Sequence, residues 1–157
     1  MESNQCLNFY NITNNDKPHY MSPFANTCQC RQYPNSNATQ NNWYCCNITH
    51  LSMISSCPNT SNWTNLHIYN VTMTEIDLSS PIFQTLQSLA ITDGNITRIV
   101  KTFSRMSKVK CLNLSNNNLL NITIKTPICL KFLNLSKNNL TQIPKLGPNQ
   151  NITMDIR

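Results

Sequence analysis

Eight cysteines offer the first chemistry in this 157-residue chain: Cys6, Cys28, Cys30, Cys45, Cys46, Cys57, Cys111 and Cys129. Six fall within the first 57 residues, and an even, clustered set reads as a disulfide framework in an oxidising compartment. Cys6, Cys28, Cys30, Cys45, Cys46 and Cys57 are therefore the disulfide candidates, and six cysteines allow 15 pairings. The alternative is zinc, with His50 near Cys45 and Cys46. Against it, Cys28-Gln29-Cys30 is one residue short of the usual two-residue knuckle.

Acid–base chemistry has little to work with. The only acids are Glu2, Asp16, Glu75, Asp77, Asp93 and Asp155, and the histidines are His19, His50 and His67. No H-E-x-x-H, G-x-S-x-G or glycine-rich phosphate loop occurs. Glu75 and Asp77 could face one way as a carboxylate pair, but a solvated loop edge explains them as well. The expectation is no enzyme, no metal and no cofactor. The net charge is +6, yet the cations are scattered singly, unlike the clustered cations and aromatics of a nucleic-acid surface.

A second pattern concerns modification. Asn-x-Ser/Thr acceptors begin at Asn11, Asn37, Asn47, Asn59, Asn62, Asn70, Asn95, Asn113, Asn121, Asn134, Asn139 and Asn151. Composition alone would produce roughly 5, so these twelve favour an N-glycosylated, extracellular chain. No apolar leader follows Met1, and no run reaches the length of a membrane span. The chain ends within a repeat, so it reads as a fragment, with room for an anchor beyond Arg157.

What must position these groups is a repeat. CLNLSNNNL from Cys111 returns as FLNLSKNNL from Phe132. Val109, Leu112, Leu114, Asn117 and Leu119 fit L-x-x-L-x-L-x-x-N-x-L, and Leu130, Leu133, Leu135, Asn138 and Leu140 repeat the frame 21 residues on. Steps of 23 backwards give Leu86, Leu89, Ile91, Gly94 and Ile96, then Trp63, Leu66, Ile68, Val71 and Met73; Met154 and Ile156 begin another copy. About four and a half copies of a leucine-rich pattern are present. The fold class expected is an α/β-type repeat solenoid with a parallel sheet on its concave face. Residues 1–60 form a cysteine-rich N-terminal cap and residues 61–157 the repeats.

In this frame the strand residues between the leucines face the concave side. His67, Tyr69, Asp93, Lys110, Lys131 and Phe132 are the candidate binding face. Asn117 and Asn138 are expected to satisfy backbone groups of a neighbouring coil. Cys111 stacks on Phe132, which puts Cys129 three residues out of register, about 10 Å along the strand, too far for a bridge between them. Both are expected to stay free unless Cys129 loops away.

CQCRQY, WYCC and HLSMISSCP ahead of the repeats resemble the cysteine-rich flank of extracellular leucine-rich repeat proteins. WYCC, SLAITDGNIT and the ending ITMDI most resemble insect secreted proteins of the halfway and singed wings type. That resemblance implies protein binding without catalysis, in ecdysone-linked developmental signalling. The implied partner is a protein ligand or co-receptor. A receptor ectodomain or a matrix glycoprotein is the alternative.

Asn113 and Asn134 hold the middle of adjacent strands about 4.8 Å apart, too close for two glycans. At most one should be occupied per molecule, as site-resolved glycopeptide mass spectrometry would show.

Overall fold

The computed structural model describes residues 6, 30–33, 41–101, 106–123, 129–145 and 151–157. Its main sheet has seven strands. In chain order they are β1 (Cys30–Tyr33), β2 (Asn42–Cys46), β3 (Asn65–Tyr69), β5 (Ser88–Thr92), β7 (Cys111–Asn113), β8 (Phe132–Asn134) and β9 (Thr153–Asp155), and they lie side by side in that order. Only β1 and β2 run antiparallel; every later neighbour is parallel. A second, two-stranded parallel sheet pairs β4 (Glu75–Asp77) with β6 (Arg98–Lys101). The molecule is a β-solenoid, each coil adding one strand to a growing ladder.

The register follows the sequence period. Leu66 sits beside Leu89, Leu89 beside Leu112, and Leu112 beside Leu133. Each of these strands sends two residues inward: Leu66 and Ile68, Leu89 and Ile91, Leu112 and Leu114, Leu133 and Leu135, all essentially solvent-free. One coil cannot close such a face alone, and stacking closes it against the next. Trp63 and Trp43 stack at the first-strand end, with ring centroids 4.4 Å apart and planes 15° from parallel.

Two features depart from the sequence reading. WYCC, placed above within the cap, lies in β2 and pairs in parallel with β3 at the same 23-residue step, Trp43 beside Leu66 and Cys45 beside Ile68. The α/β label is also corrected. Among the described residues of the coils, helix is confined to α1 (Ser52–Ser55) and the 3-10 turns Thr60–Asn62 and Pro81–Phe83. In the described residues the chain between strands is spent on turns and on helical segments of three or four residues.

Each coil turns at the same place. Asn47, Asn70, Asp93, Asn116 and Lys137 follow the strands at steps of 23, 23, 23 and 21, and all have left-handed φ of 55–57°. Asn and Asp tolerate that region better than most residues. The side chains also link successive coils: the Asn70 amide donates to Asn47, and the Asn116 amide donates to Asp93.

One residue further on lie the two structural asparagines. Asn117 donates through Nδ2 to the carbonyls of Ile91 at 2.8 Å and Leu114 at 3.1 Å, and its Oδ1 accepts from Ile96 N–H. Asn138 repeats this on Leu114 and Leu135, both at 2.9 Å, and accepts from Leu119 N–H. In the earlier coils the slot holds Val71, which is buried, and Gly94. A Cβ on Gly94 would meet Asn117 Oδ1 and the Val71 carbonyl, each at 2.9 Å. The glycine leaves the space that the Asn117 amide occupies.

Asn117→Ala should cost about 2–3 kcal/mol, because it leaves buried carbonyls unsatisfied. Asn138→Ala, at a half-buried position, should cost about 1 kcal/mol. Gly94→Ala should cost about 1–3 kcal/mol by overpacking against backbone. Urea midpoints of the disulfide-intact variants at constant m-value check the order.

Candidate functional site

The concave face is built from the strand residues that alternate with the inward pairs. β2 contributes Asn42, Tyr44 and Cys46; β3 contributes Asn65, His67 and Tyr69; β5 contributes Ser88, Ala90 and Thr92; β7 contributes Cys111 and Asn113; β8 contributes Phe132 and Asn134. From β2 to β7 this side is buried apart from half-buried Tyr69.

A disulfide explains part of that burial. Cys6 is bonded to Cys111 with a Cα separation of 5.6 Å, and it packs on Ala90 and Phe132. The bridge therefore brings residue 6 onto the middle of the concave face. A second bridge joins Cys30 to Cys45, which face each other across the antiparallel β1–β2 pair. Cys57 is disulfide-bonded as well.

Two cysteine expectations are corrected. Cys111 does not stay free: its partner is Cys6 rather than Cys129, because a distant residue reaches it across the face rather than along the sequence. Cys46 was a disulfide candidate and is outside any bridge, as is Cys129. The strand alternation separates Cys46 from its neighbour: Cys45 turns into the core and Cys46 to the opposite side. Cys28, Asn11 and Asn37 lie outside the described residues.

The six candidate face residues have different settings. His67 is 2% exposed and so is closed to a partner. Its Nε2 lies 2.8 Å from Thr92 Oγ1, and that hydroxyl donates to Asp93 Oδ2 at 2.9 Å. With the hydroxyl proton spent on Asp93, the imidazole is the donor to Thr92, which fixes the proton on Nε2. The ring sits between Tyr44 and Tyr69, at centroid distances of 5.7 and 5.4 Å. Tyr69, Asp93, Lys110 and Phe132 are half-buried, and Lys131 is exposed. An accessible face thus begins only toward β8 and β9.

Cys46 and Tyr69 share a side-chain hydrogen bond beside this ring. Burial pushes the Cys46 thiol above its ordinary value of 9.0, and the bond to Tyr69 offsets part of the rise. Burial, then the neighbouring Cys46, pushes Tyr69 far above 10.0. A thiol held protonated is a poor nucleophile. Away from this face, Glu75 pairs with Arg98 at an exposed position, and Asp77 accepts from Ser79 N–H at 2.8 Å and Ser79 Oγ at 2.6 Å. The two carboxylates have separate partners.

The sequons divide clearly. Asn47, Asn59, Asn62, Asn70, Asn95, Asn121, Asn139 and Asn151 are exposed. Asn134 is half-buried, and Asn113 is 6% exposed, its Oδ1 accepting the Ser115 N–H at 3.0 Å. Sequence reasoning missed Tyr44 and Cys46 as concave residues, although their 23-residue spacing to His67 and Tyr69 carries the signal.

Fold and site together define a disulfide-tied parallel β-solenoid with a polar concave face, closed over its first strands. No family model matches the chain, and no solved structure matches it. It is similar to Protein halfway of Drosophila pseudoobscura pseudoobscura, 55% identical over 135 residues, which cover 84% of this chain and 22% of that protein. Protein halfway of Drosophila melanogaster is 54% identical over 132 residues, 82% of this chain and 21% of that protein. These similarities support a halfway-type relationship, and the chain spans about a fifth of the length of the curated relatives it matches.

In the native protein, iodoacetamide at pH 8.5 should modify Cys129 at least about tenfold faster than Cys46. The folded values of Cys46 and Tyr69 are raised, so the stability they contribute is complete below about pH 9 and is lost as pH climbs through the folded values. Urea midpoints should therefore fall above pH 9, and fall less in Cys46→Ser/Tyr69→Phe.

Proposed function

We propose that this chain is a leucine-rich repeat module of the extracellular kind, which binds a protein ligand or co-receptor and catalyses no reaction. The carrying observation is the bridge from Cys6 to Cys111, which ties positions 105 residues apart in sequence. Such a bond persists in oxidising compartments. The repeat period, the asparagines that serve neighbouring coils and the exposed sequons support the same reading.

We assign binding to the β8–β9 part of the concave side, where Lys131 and Phe132 adjoin Lys110 of the preceding coil. A half-exposed aromatic among cations is a common anchor of protein interfaces. The developmental, ecdysone-linked role rests on the resemblance to the halfway type. The relatives are about four times as long as this chain. That length favours a second reading, in which the module is one part of a larger cell-surface ectodomain or matrix glycoprotein.

The test is expression behind a signal peptide in insect cells, followed by mass measurement with and without N-glycosidase and alkylation of the unreduced, unfolded protein. The reading expects several glycans, no more than two alkylated thiols, and an unoccupied Asn113 peptide in the folded fraction. An unglycosylated product with most thiols reactive would overturn it.

A further inference from the structure

A small pocket of about 160 Å³ opens at the first-strand end of the solenoid, lined by Gln32, Asn41, Trp43, Asn59, Asn62 and Trp63. Its lining holds two indoles, four amides and no charged group. The indoles are the stacked pair, Trp63 buried to 1% exposure and Trp43 half-buried. Two of the amides are held in place: Gln32 Nε2 donates to Asn41 Oδ1 at 3.2 Å, and Asn41 Nδ2 donates to the Asn62 backbone carbonyl at 3.0 Å. One donor is left over. The indole N–H of Trp63 is buried and has no acceptor among the described residues.

We propose that this pocket binds a single neutral sugar ring, of the N-acetylhexosamine class. Indole surface complements the C–H face of a pyranose, side-chain amides both donate to and accept from hydroxyl and acetamido groups, and the lack of charge selects a neutral ring. The volume suits one ring and no more. The ring has two sources. Asn59 and Asn62 on the rim are both sequon asparagines and both exposed, so a glycan on either begins at the pocket mouth. A glycan from another molecule would bring the same chemistry. The first source rests on the extracellular reading; the second does not.

The chain contains two tryptophans, and both line the pocket, so tryptophan emission reports on this site alone. The full chain would be titrated with N,N′-diacetylchitobiose in two forms of identical sequence, one glycosylated from insect cells and one unglycosylated from an oxidising bacterial compartment. Mass spectrometry of the same preparations would record occupancy at Asn59 and Asn62. A ligand of this size should saturate the emission change at an affinity on the order of millimolar. If the pocket holds the protein's own glycan, the glycosylated form is unresponsive and the unglycosylated form responds. If it takes a separate glycan, both respond alike. Gln32→Ala should weaken the unglycosylated form's response by about fivefold, the loss of one hydrogen bond. Emission unmoved by tens of millimolar chitobiose in both forms, with emission unchanged by glycan removal, would overturn the proposal. Lack of glycan at both sites would count against the extracellular reading only, since the free-sugar titration still decides the pocket.

Discussion

A parallel ladder sets one demand that the rest of this chain obeys: after every strand the backbone must turn and return to the same height, one strand spacing further along. Here the turn is made at a left-handed residue, and the sequence places Asn, Asn, Asp, Asn and Lys there. Left-handed backbone costs an ordinary residue roughly 1–2 kcal/mol, and Asn and Asp reduce that cost by local hydrogen bonding. Lys137 has no such help, and the turn there is held by its N–H bond to the Arg157 carbonyl and by Asn138 beside it. Once the corner is fixed, the inward leucines, the Asn117 and Asn138 bonds and the concave columns take their places by counting.

That counting is why so much of the architecture was legible. The 21- and 23-residue offsets gave the strand register that the structure shows, from Leu66 to Met154. The work of Asn117 and Asn138 followed from where the strands end. The same counting applied one step earlier would have placed Trp43 and Cys45 on the core side, but the cysteine cluster drew WYCC toward the cap. That the described parts of the coils hold only short helical segments was not legible, because apolar residues between strands can be spaced for a turn or for a helix.

The candidate site was less readable, for a physical reason. Exposure on the concave side is decided by what crosses it, and Cys6 comes from outside the repeat. No periodicity relates residue 6 to residue 111. His67 thus looked like a binding residue in the frame and is a buried member of a Tyr44–His67–Tyr69 group. The separation of Cys45 from Cys46 needed only strand alternation, yet which cysteine would find a partner depended on β1 arriving antiparallel at that edge.

The bridge between Cys6 and Cys111 also decides how the chain would carry a load. Tension applied at its two ends enters at residue 6, passes through the sulfur atoms, and re-emerges at residue 111. The coils between those points lie inside a covalent ring and are mechanically silent. Only the coils after Cys111 can be drawn out, so the extensible part of this solenoid is its β8–β9 end, the part on which the concave side is open.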